Sequence, residues 1–437
     1  MLDVLLNIMN FIIHQVLREP AIFLGLIALV GLLIQRKELT EIISGTIKTI
    51  VGVVILDIGV GILVGSILPL AGAFGVVYQM PYEYTFAAET MTYGMDTFLG
   101  TYGTEIGIVM LAAFLLNLII ARFTKWKNVF LTGHMLFWFP VVFLAVGINA
   151  GMSGVGVVIF AAVGTTLYMV ISMALVRPLV KLATGSDSFT LGHPTVGLSL
   201  IAAYVGKWVG DKSKSTEDLK FSKKLEFLRE ITITSTLVIF IAYVVIIAIL
   251  TIQGHTAGEV LGANNNVILN AFMQSITFGA GLTVMLQGVR MMLAEIVPAF
   301  KGISDKVIPN AIPGLDCPLV FPYAPNAVII GFIVSMITST LALILIGTTG
   351  VFSFVILPLI ITCFFEIGTG AVFANATGGL KGAVIGSAVA GVVMMIFMGL
   401  SLPFFSDTIA DWMLIFGGND FSILGFLGGL VARIFGG

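Results

Sequence analysis

Apolar residues run along this 437-residue chain in long blocks, separated by short polar or glycine-rich breaks, from Pro20 to the C-terminus. A helix needs about 20 such residues to cross the hydrocarbon core of a bilayer, so the blocks predict membrane helices. They fall at 20–34, 46–68, 104–123, 128–148, 154–176, 230–252, 266–289, 324–346, 351–372, 382–402 and 421–435, a pattern that predicts eleven crossings. Composition points the same way: 58% hydrophobic and 10% charged residues, with a mean hydropathy of +1.10, exclude an ordinary soluble domain. The fold class is therefore an all-α polytopic membrane protein with re-entrant hairpins at its breaks. The first strong run, Ile22 to Ile34, passes into Arg36-Lys37 without a small-residue cleavage site, so it is expected to stay as the first span.

Charge adds an orientation. If the spans alternate, the basic residues Arg36/Lys37/Lys48, Arg122/Lys125/Lys127, Arg177/Lys181, the run Lys207 to Arg229, Arg290/Lys301/Lys306, Lys381 and Arg433 share one side. Loops 69–103, 149–153, 253–265, 347–350 and 403–420 contain no Lys or Arg, and of 21 basic residues only Arg18 breaks the pattern. The positive-inside rule then predicts an N-terminus outside and a C-terminus inside the plasma membrane. The net charge of −2 says little beside this distribution. Residues 1–19 alternate apolar positions with Asp3, Asn7, Asn10, His14 and Arg18, which suits an interfacial helix or an extension of the first span. The outer loop 69–103, with Pro69, Pro81, Glu83, Glu89 and Asp96, is expected to dip back against a pocket. The polar run Lys207 to Arg229 is the natural docking face for a cytoplasmic partner.

Two stretches do not read as simple spans. Pro313, Pro318, Pro322 and Pro325 surround Asp316 between two apolar blocks. Prolines remove backbone donors, and freed backbone groups survive at membrane depth only against protein or a water-filled cavity. Thr184 to Lys207 carries Gly185-Ser186-Asp187-Ser188 and then Gly192-His193-Pro194, and reads as a re-entrant hairpin. Paired interruptions in two halves of a transporter point to a binding site near the bilayer midplane.

Candidate chemistry concentrates there. His134 and His193 each follow a glycine, Gly133 and Gly192, which allows a ligand or backbone to approach closely, and an imidazole offers a donor and an acceptor to a polyol or sugar acid. The alternative is a histidine satisfied by backbone carbonyls; recurrence at two interruptions favours binding. Asp316 either caps the helix start at Pro318 or accepts from substrate hydroxyls, and its irregular setting favours the second. Glu366 is a lone acid in a span, able to line a cavity or relay protons, or to make a buried structural hydrogen bond. Asp57, Arg290 and Glu295 read as helix-holding residues. Cys317 and Cys363 lack metal-ligand spacing and read as buried free thiols. No nucleotide-binding P-loop, His-Glu-x-x-His helix, Gly-x-Ser-x-Gly elbow, voltage-sensor helix or potassium filter occurs, so no cofactor, metal or nucleic acid is expected. Two readings follow: permeation coupled to a partner's chemistry, or a gradient-driven secondary transporter with Glu366 or Asp57 as its ion site.

The stretches Gly45-Thr46-Ile47-Lys48-Thr49-Ile50, Leu131-Thr132-Gly133-His134, Gln287-Gly288-Val289-Arg290-Met291, Ala299-Phe300-Lys301-Gly302-Ile303-Ser304, Leu315-Asp316-Cys317, Tyr323-Ala324-Pro325-Asn326-Ala327-Val328 and Val372-Phe373-Ala374-Asn375 together resemble the membrane subunit, enzyme IIC, of the ascorbate-type phosphotransferase system. The resemblance implies a homodimer of eleven-span subunits. Each would have a V-motif scaffold, roughly 1–100 and 207–290, a substrate-carrying core, roughly 101–206 and 291–420, and a last span, 421–437. The core would move like an elevator and deliver a sugar-like substrate to enzyme IIB, whose phosphocysteine phosphorylates it, with enzyme IIA upstream; the chain itself would be a transport subunit, not an enzyme. It further implies substrate contacts at Gly133, His134, His193 and Asp316. Trp138 and Pro194 stand where the ascorbate pattern has glutamines, and Ala87-Ala88, beside Glu89, where a Thr-Tyr pair is expected; with Glu366 these complete the candidates. Losing amides removes hydrogen bonds that discriminate polar ligands, so the expected substrate is a sugar, sugar acid or polyol, ascorbate first.

Overall fold

The computed structural model describes residues 19–77, 88–219, 230–263, 266–349, 351 and 359–436. Helix dominates, in an order set by the apolar blocks: α1 (Pro20–Ile34), α2 (Leu39–Val77), α3 (Ala88–Phe123), α4 (Gly133–Asn149), α5 (Gly154–Thr184), α6 (Val196–Val209), α7 (Ile231–Ile252), α8 (Val267–Lys306), α9 (Pro325–Thr349), α10 (Gly368–Ser401) and α11 (Asp420–Gly436). Among the described residues, seven helical stretches are long and apolar enough to cross a membrane, and α1, α4 and α6 are shorter apolar helices. Apolar side chains such as Ile159, Leu167, Ile241, Leu269 and Ile337 are exposed along them, as a lipid-facing surface requires.

Helix ends follow local chemistry. Pro20 opens α1, where its missing N–H costs nothing. The Asn266 side chain accepts from Ile268 and Leu269 N–H at the start of α8. Gly185, at φ 71°, closes α5 in the left-handed conformation. Among the described residues helix stands at each predicted block, with two differences. The block predicted at 128–148 begins as a strand, and helix starts only at Gly133. Helix α8 runs 40 residues, about 60 Å, and passes unbroken through the domain boundary expected at 290/291. Helix α10 is broken at Gly379 (φ 60°, ψ −156°), inside the gap expected between the blocks 351–372 and 382–402, and the chain turns back there. A Cβ on Gly386 would lie 3.1 Å from Ala374 Cβ, far closer than twelve residues of straight helix allow. A short π-helical stretch, Cys363–Ile367, leads into α10.

Two groups of helices pack around the interruptions. Helices α1, α2, α7 and α8 form one bundle, while α4, α5, α6, α9, α10 and α11 form the other. The second group holds the one element that the all-helical expectation omits, a three-stranded parallel sheet in the order β1-β3-β2, made of Asn128–Phe130, Ile312–Leu315 and Thr190–Leu191. Its register pairs Phe130 and Thr190 with Gly314 and Leu191 with Leu315. Asn117 of α3 satisfies β1's outer edge, accepting from Phe130 N–H at 2.9 Å and donating to Asn128 C=O at 3.2 Å.

Candidate functional site

Parallel strands end on the same side, so whatever follows each strand is delivered to one place. After β1 come Leu131, Thr132, Gly133 and His134; after β2, Gly192 and His193; after β3, Asp316. The ladder continues one step beyond the strands, with Leu131 N–H donating to Gly314 C=O and Gly192 N–H to Leu315 C=O, each at 2.8 Å. Gly192 is needed for this approach, since a Cβ there would meet the Phe130 ring at 2.9 Å.

The three side chains converge. His134 Nε2 lies 3.5 Å from Asp316 Oδ2, and His193 Nε2 lies 3.5 Å from Asp316 Oδ1. These gaps exceed a normal N–H···O bond of about 2.9 Å, so the carboxylate is bracketed by two imidazoles without being fully engaged. The two rings stand 6.2 Å apart, edge to face. Exposure is graded across the cluster, from 7% for the His193 side chain through 16% for Asp316 to 33% for His134, so access comes from the His134 side. Asp316 also serves as cap, its Oδ1 accepting from Cys317 N–H at 2.6 Å, the structural one of its two sequence readings. His193 Nδ1 and Thr132 Oγ1 are buried without a hydrogen-bond partner among the described residues. Helix α4 starts beside them with no side-chain cap from Thr132, leaving its N-terminal N–H groups and positive dipole end toward the site. The donor atoms of His134, His193 and Asp316 all lie within 4.8 Å of one another, a set that suits a row of hydroxyls or one divalent cation.

A small cavity of about 20 Å³ lies between the two helix groups, lined by Leu24, Asp57 and Met292 from one and by Thr132, Gly133, His134 and Asp316 from the other. It has room for about one water. Asp57, read from sequence as a helix-holding residue, therefore faces the cluster from the opposite wall. A larger cavity of about 960 Å³ lies elsewhere, along α5 and α11, and its lining is almost wholly apolar, with Tyr168, Ser172 and Asp420 among the few polar groups. That surface offers a polyol little, whereas the smaller cavity is the one that His134, Asp316 and Asp57 line.

The remaining candidates lie around this centre. Trp138, one turn beyond His134, stacks its indole on Trp412 with centroids 4.8 Å apart. Pro194 is buried, and its carbonyl accepts from Asp420 N–H at 3.0 Å. Glu366 is buried in the π-helical stretch; Asn419 donates to its Oε1 at 2.9 Å, and its Oε2 has no partner among the described residues. Ala88 and Glu89 open α3, whereas Ala87 lies outside the described residues, as do most of residues 1–19 and the end of the polar run 207–229. The sequence reading missed Asp420 and Tyr168. An acid opening a helix after Gly417-Gly418-Asn419 is a helix-start signal that could have drawn attention to the first.

Membrane-length helices of apolar surface, interrupted where two imidazoles and a carboxylate meet at the junction of two helix groups, define a polytopic membrane protein built as a solute permease. The chain belongs to the EIIC-GAT family, described as the sugar-specific permease component of the phosphotransferase system, which matches residues 15–420. It is 28% identical, over 94% of its own length and 69% of the relative's, to a protein of Mycoplasma pneumoniae named as the ascorbate-specific phosphotransferase EIIC component.

Proposed function

We propose that this permease carries ascorbate, or a related sugar acid or polyol, through the plasma membrane to a cytoplasmic enzyme IIB that phosphorylates it, with enzyme IIA upstream. The observation that carries this reading is the convergence of His134, His193 and Asp316 at the ends of three parallel strands. Imidazole N–H groups and the uncapped start of α4 suit the anionic enediol of ascorbate; Asp316 suits its hydroxyls. Gly133 lets the ligand approach, and Trp138 and Pro194 form the frame behind the two histidines, where glutamines would otherwise confer amide contacts. Ala87, Ala88, Glu89 and Glu366 are outer candidates.

A one-water cavity cannot hold a six-carbon acid. Substrate therefore enters only when the wall made by α1, α2 and α8 moves relative to the strand ends. This supports an elevator motion of a core, carrying the sheet, against a scaffold built on α1, α2, α7 and α8. The eleven spans, the homodimer, and the outward N-terminus and inward C-terminus belong to the same proposal. The decisive test measures binding of radiolabelled ascorbate to the purified protein, with pentitols and sugar acids as competitors, together with uptake into vesicles with and without enzyme IIB. Micromolar binding, and accumulation only with a phosphorylated IIB, are expected. Full accumulation under a proton or sodium gradient without IIB would instead establish the secondary transporter.

A further inference from the structure

The His193 tip is held from outside its own segment. Between β2 and α6 the chain passes through Gly192, His193, Pro194 and Thr195, a stretch too short to fix its own position. The groups that fix it come from the start of α11, more than 220 residues away. Asp420 is 3% exposed. Its Oδ1 accepts from Gly197 N–H at 2.7 Å and its Oδ2 from Val196 N–H at 3.0 Å, so one carboxylate caps the first turn of α6. Its own N–H donates to Pro194 C=O at 3.0 Å. The Tyr168 hydroxyl of α5 bridges the same two elements, lying against Asp420 Oδ2 and 3.0 Å from His193 C=O. The neighbouring Asn419 donates to Glu366 Oε1 at 2.9 Å, while Thr195 Oγ1 donates to Glu366 C=O at 3.1 Å. The tip is thus tied at Pro194 and at residues 196–197 to a single residue of a distant helix, Asp420, and at His193 to Tyr168 of α5.

We infer that Asp420 is a positioning residue for substrate recognition: it sets where the His193 imidazole stands relative to Asp316, and so acts on substrate without touching it. A buried carboxylate accepting two backbone N–H groups and a hydroxyl is held by charge-assisted bonds, and it satisfies helix-start donors that would otherwise be orphaned at membrane depth. Its place in transport rests on the substrate reading above; its hold on the tip does not.

The experiment uses the full-length purified protein and two readouts. In hydrogen–deuterium exchange, Asp420→Ala is expected to raise exchange at residues 192–197 by at least tenfold and to leave the α2–α8 bundle unchanged. In ascorbate binding the same variant is expected to lose at least tenfold in affinity. Asp420→Asn, which keeps one acceptor oxygen, should fall between it and wild type in both. Should Asp420→Ala fail to fold, Tyr168→Phe removes only the hydroxyl and should give both changes at smaller amplitude. Unchanged tip exchange overturns the inference, as does raised exchange with unaltered affinity while His134→Ala abolishes binding. If His134→Ala leaves ascorbate affinity intact, the substrate reading falls, and the exchange result alone decides the hold on the tip.

Discussion

The pair α2–α8 and the group of broken elements around His193 hold together by opposite means. Along α2–α8, Gly52 and Gly59 face Met292 and Met285, and Gly281 and Gly288 face Leu63 and Leu56. Each pair of glycines is seven residues apart, so both lie on one stripe and the two backbones come into direct contact. Lys48 and Glu295 add one ion pair at 3.2 Å near the end of this seam. Around His193 nearly every element stops short, and the loose backbone groups are matched by side chains from other helices, Asp420, Tyr168 and Asn117, while Thr195 of the tip itself donates to Glu366 C=O. A rigid wall in a membrane needs only small residues and close packing. A polar site there needs broken helices that satisfy one another, and this chain assigns the two tasks to separate regions.

The strongest way to test that division is to strike each region and ask whether binding and stability separate. His134→Ala and Asp316→Ala are expected to abolish ascorbate binding, a loss of at least a hundredfold, while the protein remains membrane-inserted and melts near the wild-type temperature. Unchanged affinity in radioligand binding would remove these residues from the site. Gly288→Leu should do the reverse. A Cβ there would sit 2.7 Å from Gly52 C=O and 2.8 Å from Leu56 Cα, both backbone atoms that cannot rotate away. Overpacking of this kind costs about 1–3 kcal/mol or more, seen as a lower melting temperature and a lower folded yield, with the folded fraction still binding ascorbate. A Gly288→Leu protein that melts normally would show that the seam is not a tight wall.

The same contrast explains what could be read from the chain in advance. The positions of helices were legible because bilayer thickness imposes long apolar blocks, and the interruptions at 184–207 and around Asp316 were legible because Pro, Gly, His and acids cluster there, unlike the single prolines Pro140, Pro178 and Pro298 inside α4, α5 and α8. His134, His193 and Asp316 stood out for that reason. The sheet that gathers them was not legible: Asn128–Phe130 and Thr190–Leu191 are three and two residues long, too short for a period-2 pattern, and their partners in β3 lie 184 and 124 residues away. The turn at Gly379 falls in the gap between the blocks 351–372 and 382–402, so the break was legible; which of the glycines there takes the positive φ was not. That Asp57 faces the cluster across the small cavity was not legible, because a single acid in a helix carries no sign of which neighbour it faces.

Trp138 offers a finer test, since it lies between site and packing. Its ring stacks on Trp412, and aromatic pairs contribute about 0.5–1.5 kcal/mol beyond buried area. Trp138→Phe is therefore expected to lower the melting temperature by a few degrees and to leave ascorbate affinity within twofold. A tenfold loss of affinity would place the indole against the substrate and move Trp138 from frame to contact.

The smallest expected effect comes from the polar turn that follows α5, outside both regions. Arg177 donates to both oxygens of Asp187 at 2.8 and 3.1 Å, with Lys181 at 3.5 Å, and the Arg177 hydrogen bonds hold the Asp187 carboxyl below its ordinary range. Because the folded pKa is depressed, the ionised form is the one the fold prefers. Its stabilisation is fully present above the unfolded value of about 3.9 and is lost as pH falls through the lowered folded value. The group is largely solvent-exposed, so the contribution is a few tenths of a kcal/mol, about what screened surface pairs give. Asp187→Asn should therefore lower the melting temperature slightly at neutral pH, and the difference from wild type should close as the pH drops below about 4. A gap that persists unchanged in acid would mean that Asp187 stabilises the turn by something other than its charge, and that its ionised pairing with Arg177 contributes nothing.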